Sequence, residues 1–155
     1  MAELKYIGLR PSKRAEMQIV DNVQVDERGL VGDRYDTWLG DRNVTLFREE
    51  GLAHAWEKLG KTGNPDPTRT RRNLMVAGLG AELKKMKGDQ IQIGEDVLLE
   101  VTGYCHPCSR MDETFGPGGL KAMAGEGGLT ARVISTGSIR VGDPVMVTKS
   151  SDNEK

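Results

Sequence analysis

Short runs of alternating apolar residues, many of them ended by glycine, constrain the fold of this chain more than any other feature. Glycine supplies 20 of the 155 residues, about twice its usual share. An alternation with a period of two is typical of β-strands that bury one face. The sequence therefore predicts a sheet-rich fold with many turns. The predicted strands are Leu4–Leu9, Gln18–Val25, Val44–Phe47, Leu74–Val76, Asp89–Ile93, Val97–Thr102, Ala131–Ser135 and Val141–Val147.

Two segments, Gln90–Val101 and Gly137–Val147, each predict a hairpin, because a glycine turn joins two alternating runs in both. The spacing of apolar residues predicts one helix over Arg48–Leu59, and Gly60 ends it. The composition of Asn64–Thr70 predicts a surface loop. A mainly β, partly closed barrel with one or two short helices accounts for this order better than alternating β-α-β units do.

The length and charge of the chain limit its class. A chain of 155 residues predicts a single domain, here residues 1–148, with a disordered polar tail at 149–155. The net charge of −1 gives no overall basic field for nucleic acid or a membrane surface. The start of the chain lacks the apolar core of a signal peptide, and its two cysteines do not make the disulfide framework of a secreted fold. We therefore expect a cytoplasmic protein that binds neither nucleic acid nor a membrane.

Both cysteines of the chain lie in the segment Cys105-His106-Pro107-Cys108, and Arg110 follows just beyond it. A neighbouring cation favours the thiolate, which is the reactive nucleophile and a soft metal ligand. Burial for packing alone is the alternative for either cysteine. A thioredoxin-like redox pair is disfavoured, because no crossover helix and parallel strand are predicted after it. A zinc site would need a fourth ligand from elsewhere in the chain.

A cluster of arginines is the second chemical signal. Arg69, Arg71 and Arg72 run directly into Asn73 and a predicted strand. Guanidinium groups bind phosphate and carboxylate with paired hydrogen bonds, and an asparagine amide offers a donor and an acceptor to the edge of a heterocycle. The alternative is a charged loop end exposed to solvent. Both interpretations stay open on these residues alone.

Three further features carry weaker predictions. Asp33 either orients Arg34 as an ion pair or stabilises a turn. His54 lies within the predicted helix, where we expect it on the surface and not as a ligand. The glycine-rich segments Gly116–Gly119 and Gly125–Gly128 predict mobile loops that cover a cleft.

Five segments, taken in order, resemble the MOSC domain, the C-terminal domain of molybdenum cofactor sulfurases. The same domain occurs in stand-alone bacterial proteins and in molybdoenzymes that reduce amidoximes or N-hydroxylamines. The resemblance extends from about Leu4 to Val147 and implies a β-barrel-like fold that binds the molybdenum–pyranopterin cofactor. The segments are Gly29–Arg34, Val44–Leu52, Arg71–Leu79, Leu98–Met111 and Gly137–Val145.

The resemblance also implies roles for individual residues. The cysteine that ligates molybdenum in the family matches Cys108, after Pro107, which leaves Cys105 as an accessory thiol. An R-x-N stretch that grips the pterin and phosphate of the cofactor matches the segment Arg71–Asn73, and Lys13 loosely matches a basic residue after an early proline. The expected cofactor-binding residues are thus Arg71, Arg72, Asn73, Arg34, His106, Arg110 and Lys13.

The function implied by the resemblance is reduction of N-hydroxylated compounds by a cysteine-ligated molybdenum cofactor. A flavin or iron–sulfur protein would supply the electrons. One alternative is a sulfur carrier that receives a persulfide on Cys108 from a cysteine desulfurase. Another is a binding module that stores or delivers the cofactor.

Overall fold

The computed structural model describes residues 2–12, 15–34, 40–107 and 109–150. Of the expected site residues, Lys13 and Cys108 lie outside these ranges. The strands are β1 (Ala2–Leu9), β2 (Gln18–Val20), β3 (Asn22–Asp26), β4 (Gly29–Leu30), β5 (Val44–Arg48), β6 (Leu74–Ala77), β7 (Gln90–Ile93), β8 (Val97–Tyr104), β9 (Leu129–Ser135), β10 (Gly137–Arg140) and β11 (Pro144–Thr148). The helices are α1 (Glu49–Lys58), α2 (Arg110–Phe115) and α3 (Gly119–Ala122), with single 3-10 turns at Pro67–Thr70 and Leu83–Lys85.

Seven strands close into a barrel in the order β11-β7-β8-β9-β5-β6-β1. The start of β1 closes the ring by pairing with β11, where Ala2 lies opposite Val145. The end of β1 pairs along the same edge with β2, where Leu9 lies opposite Gln18. β5 and β6 run parallel, whereas the other described pairs of the barrel are antiparallel. The mainly β barrel expected from the sequence is therefore confirmed.

Two apolar clusters form the interior. The larger one fills the barrel with alternate side chains of its strands, as the period-two pattern predicts; Leu4, Ile7 and Leu46 are fully buried there. The smaller one packs the three α-helices against the outside of the barrel through aromatic residues. In it Tyr6 meets Phe47 edge to face with ring centres 6.2 Å apart.

Helix α1 confirms the predicted helix, and Gly60 ends it with a φ of 68°. Its buried face holds Leu52, Ala55 and Trp56, the residues whose spacing predicted it. His54 is exposed on the opposite face, as expected. None of the helices within the described ranges is long and apolar enough to cross a membrane.

Strand pairing corrects two of the predictions. The segment Gln90–Val101 forms the expected hairpin, β7 with β8. The segment Gly137–Val147 does not, because β10 pairs with β3 in a separate three-stranded sheet while β11 pairs with β7. Likewise, Gln18–Val25 is two strands in two sheets, with Asp21 between them. In both cases long-range pairing overrides the local pattern.

The predicted loop and tail are also more ordered than expected. Asp66 caps the 3-10 turn Pro67–Thr70 by accepting a hydrogen bond of 3.0 Å from the Thr68 amide. After β11, the Ser150 amide donates to the fully buried Asp89 at 2.9 Å, and Lys149 pairs with the same carboxylate at 3.2 Å. The first residues of the predicted tail, as far as Ser150, therefore have defined contacts; residues 151–155 lie outside the described part of the chain.

Candidate functional site

The strand register brings the candidate residues to one end of the barrel. Near the end of β1, Ile7 lies opposite the first residue of β6, which follows the arginine cluster directly. At the end of β8, Tyr104 lies opposite the first residue of β9, immediately before the cysteine segment. Because β5 pairs with the start of both β6 and β9, these strand ends are neighbours. The arginine and cysteine segments therefore meet at one end of the barrel.

Arg71 is the most unusual residue at this end. Its backbone is left-handed, with φ 59° and ψ 25°, a conformation that costs a non-glycine residue about 1–2 kcal/mol. The side chain is only 9% exposed, yet its Nε and Nη2 atoms have no hydrogen-bond partner among the described residues. A strained backbone that holds an unsatisfied buried cation is typical of a binding site.

Other arginines intensify the positive charge around Arg71. Burial lowers the pKa of its guanidinium most, and the cations of Arg10, Arg110 and Arg34 lower it further, against the raising effect of Tyr6. The Arg34 amide donates to the Arg10 carbonyl at 2.8 Å, which ties the segments after β4 and β1 together. An anion placed among these side chains would relieve their mutual repulsion.

Tyr6 is a second buried polar group without a partner. Its side chain is 4% exposed, and its hydroxyl has no hydrogen-bond partner in the described part of the chain. Burial raises its pKa, as does Asp66, while Arg71 lowers it. Gly8 makes room for the phenol, because a Cβ there would overlap the hydroxyl and lie 2.9 Å from Met17 Cε. The phenol therefore stays neutral and can donate one hydrogen bond.

An open cleft of about 350 Å³ lies beside Arg71. It runs between α2 and the 3-10 turn Pro67–Thr70, and its walls carry both charges. The lining residues are Glu16, Met17, Asp66, Thr68, Arg69, Arg71 and Thr114. Met17 lies beside the Tyr6 hydroxyl, which places the phenol next to this cleft.

The neighbours of Arg71 in the cluster support the structure. Arg72 is buried and donates from Nε to the Gly127 carbonyl at 2.9 Å. Arg69 donates to the Thr114 carbonyl at 3.1 Å and accepts from its hydroxyl at 2.7 Å, so it joins the 3-10 turn to α2. The three arginines of the cluster thus have different roles: Arg71 has unpartnered nitrogens, whereas Arg69 and Arg72 join parts of the structure.

The expectation that Asn73 contacts a ligand needs correction. Its amide nitrogen donates to the Gly8 carbonyl at 3.0 Å and to Asp33 at 3.1 Å. Its oxygen accepts from the Thr45 amide at 3.0 Å and hydroxyl at 3.1 Å. These four bonds use the full capacity of the side chain, so Asn73 joins β5, β6 and β1 and has nothing left for a heterocycle.

The two roles considered for Asp33 can now be compared. Its carboxylate accepts from the Arg10 amide at 2.8 Å and from Asn73, and it is 5% exposed. The carboxylate therefore anchors the backbone of Arg10, a contact that is compatible with either role toward Arg34.

The described part of the cysteine segment starts at the buried Cys105 and continues through the exposed His106. Cys105 is 7% exposed; its amide donates to the Gly128 carbonyl at 2.7 Å, and Arg42 Nη2 lies 3.9 Å from its sulfur. His106 is exposed, and its ring packs edge to face with that of Tyr104, with ring centres 4.6 Å apart. Cys105 is therefore packed.

Arg110, at the start of α2, is half-buried, with Nε 4.0 Å from Glu113. Of the expected cofactor-binding residues, it and Arg34 are the two whose charges act on Arg71. Within the described ranges, no cluster of three or more histidine, cysteine or acidic side chains could hold a metal ion.

The glycine-rich segments, predicted to be mobile loops, hold some glycines in close contact and others, such as Gly116 and Gly125, in open space. Gly119 begins α3, and its helix contributes Ala122 to the smaller core. Gly127 lies against the cysteine segment, where a Cβ would overlap the Cys105 carbonyl and lie 2.6 Å from Pro107 N. Close packing therefore explains glycine at these two positions.

Sequence reasoning missed several residues at this end. Tyr6 and Arg10 are at the end of a predicted strand without any motif, and Arg42 precedes the strand β5. Gly8, a glycine inside an apolar strand pattern, was the one available signal, since such a glycine often marks a close approach.

Comparisons with known proteins agree with this fold. A family model for the MOSC domain matches residues 23–146, and the chain belongs to that family. Among solved structures, the YuaD protein from Bacillus subtilis superposes with a TM-score of 0.83 at 16% identity, over 97% of this chain and 98% of that one. YiiM from Geobacillus stearothermophilus superposes with a TM-score of 0.74 at 20% identity, over 96% of this chain and 76% of that one.

One curated protein shares local sequence. A protein from Gibberella moniliformis named "Reductase" is 41% identical over 61 residues, which make up 37% of this chain. The match covers only 11% of that protein's length.

Proposed function

We propose that this MOSC domain binds the molybdenum cofactor at the arginine-rich end of its barrel and reduces N-hydroxylated compounds. The observation that supports this most is Arg71, a buried and strained guanidinium with unpartnered nitrogens. The cofactor is a phosphate-bearing anion, and an anion is the group that such a side chain lacks. The described residues thus fit the group chemically.

Each residue has a separate task in this proposal. Arg71 and the Tyr6 hydroxyl would donate hydrogen bonds to anionic or carbonyl oxygens, while Arg10, Arg34 and Arg110 would offset the remaining charge. Cys108 would supply a thiolate ligand to molybdenum, a metal that accepts soft donors. When bound, the cofactor would supply the two-electron chemistry that cleaves an N–O bond.

The reductase interpretation is favoured over a persulfide carrier by the same side chains. A persulfide on a cysteine needs no cluster of buried cations, whereas a multiply charged cofactor does. The local identity to a protein named "Reductase" agrees with this choice. Electrons would come from a flavin or iron–sulfur protein.

Metal content and catalysis of cysteine variants test the proposal. We expect the purified protein to contain molybdenum and to reduce an N-hydroxylamine with a chemical electron donor. Cys108→Ser should lose both, because a serine hydroxyl stays protonated and is a poor soft ligand. Cys105→Ser is the matched control and should keep most of both.

Two outcomes would contradict the proposal. A metal-free protein whose Cys108 carries an added sulfur would favour the sulfur carrier. If the Cys105 variant alone were inactive, the wrong thiol would have been assigned as the ligand.

A further inference from the structure

A buried ion pair lies directly behind the cysteine segment. Arg48 Nε is 3.4 Å from Glu126 Oε1, and the two side chains are 12% and 20% exposed. Neither of these two atoms has a hydrogen-bond partner in the described part of the chain. Burying charges is costly unless the arrangement serves something else.

Helix α1 is shaped around this pair. A Cβ at Gly51 would overlap the Glu126 carboxylate, so glycine at this position leaves room for the carboxylate where it lies against the first turn of the helix. Glycine in a helix costs about 1 kcal/mol relative to alanine. Gly51 thus lowers the stability of α1 at the point where Glu126 lies against the helix.

The segment 126–128, which contains Glu126, also supports the cysteine segment. Gly127, next to Glu126, donates from its amide to the Tyr104 hydroxyl at 3.3 Å and touches the Cys105 carbonyl. Gly128 accepts the Cys105 amide at 2.7 Å. Residues 126–128 therefore form a layer between α1 and the start of the cysteine segment.

The pKa of Glu126 shows which neighbour favours its charged form. Burial raises the pKa of Glu126 most, and Arg48 opposes it. His54 and Lys58 lower the pKa further, whereas Glu50 raises it. Arg48 is therefore the strongest opposing influence that favours the charged carboxylate.

We propose that Glu126 is a positioning residue: through Arg48 it holds Gly127 and Gly128 against Cys105–Pro107 and so fixes the backbone that leads to Cys108. The role of Cys108 in catalysis rests on the proposed function, but the positioning of its segment does not. The ion pair then determines how accessible the Cys105 thiol is.

Thiol alkylation by iodoacetamide, followed separately for Cys105 and Cys108 by peptide mass spectrometry, tests this in the purified protein. Glu126→Gln keeps the size of the side chain and removes its charge. We expect Cys105, which is buried in the parent, to react about tenfold faster or more in this variant, because loosening its segment lets the reagent reach the thiol. Glu57→Gln, on the exposed face of α1, is the control and should react like the parent.

A pair of Arg48 variants separates positioning from general destabilisation. Arg48→Lys keeps the cation and should keep the slow reaction of Cys105, whereas Arg48→Met should behave like Glu126→Gln at a temperature where all variants are folded by circular dichroism. Equal alkylation rates in the folded parent, Glu126→Gln and Arg48→Met would overturn the proposal. Molybdenum content and N-hydroxylamine reduction, measured on the same samples, report on the proposed function independently.

Discussion

At the scale of the residue, Arg71 shows that a binding site can be recognised by residues that lower the stability of the protein without a ligand. Its left-handed backbone and its unpartnered guanidinium both destabilise the protein without a ligand. Asn73, two positions on, is the opposite case: all of its hydrogen-bonding capacity is used inside the protein. Adjacent polar residues thus separate into a ligand-binding group and a structural group only when their partners are counted.

This contrast gives a prediction for Arg71→Gly. Glycine adopts a positive φ freely, which relieves a strain of about 1–2 kcal/mol, and the variant no longer buries an unpaired charge. We expect its free energy of unfolding in denaturant to be no lower than that of the parent, while its molybdenum content falls sharply. Stability gained with function lost is typical of binding residues.

Arg69→Gly is the matched control for that experiment. Arg69 bonds to Thr114 and pairs with Asp66 at 3.5 Å, so its loss should destabilise the protein by about 1–2 kcal/mol. If Arg71→Gly were the more destabilised of the two, Arg71 would be a structural residue.

At the scale of the element, local patterns predicted the strands and helix α1 well but not their partners. The hairpin of β7 and β8 was predictable because its turn and both strands are adjacent in sequence. The partners of β10 and β11 were not, since the Gly142 amide and the Asp143 carbonyl bond to Leu4 on β1 and direct the two strands into different sheets. Contacts between distant parts of the chain leave no periodic signal.

The candidate site was likewise predictable only where the sequence itself is distinctive. Cysteines and clustered arginines are chemically distinctive in a sequence, so their segments could be named in advance. Tyr6 and Glu126 are ordinary residues whose importance comes from burial and neighbours. The glycines of residues 125–128 were noticed, but composition alone could not distinguish mobility from close packing.

Gly127→Ala tests that packing. Because the added methyl group would overlap the Cys105 carbonyl, the backbone must shift, at a cost of about 1–3 kcal/mol. We expect a lower midpoint of thermal unfolding together with faster alkylation of Cys105.

Gly125→Ala is the control within the same segment. Gly125 has a φ of 80° and no atom within 4 Å of the added Cβ, so this variant carries backbone strain without a clash. It should lose some stability and leave Cys105 as slow to react as in the parent. Equal acceleration in both variants would show that backbone strain, and not the contact, controls the thiol.

At the scale of the whole molecule, charge is distributed unevenly. The net charge is −1, yet Arg10, Arg34, Arg71 and Arg110 are close enough at one end of the barrel for the other three to lower the pKa of Arg71. Attraction of an anion to this end must therefore be local, because the overall field does not provide it. Such a protein should respond to the shape and charge of an anion and not only to ionic strength.

Thermal unfolding in different salts measures this response. An anion that binds only the folded state at about 100 times its Kd adds about 2.7 kcal/mol, and each kcal/mol raises the Tm of a chain of this size by about 2–4 °C. We expect sulfate, phosphate or molybdate to raise the Tm above that in chloride at equal ionic strength, because tetrahedral oxyanions can accept several hydrogen bonds from guanidinium groups at once. The difference should disappear in Arg71→Gly but persist in Arg132→Ala, which removes an exposed arginine from the middle of β9. If chloride stabilised the parent as much as the oxyanions did, the arginines would act through screening alone, and the end of the barrel would have no defined anion site.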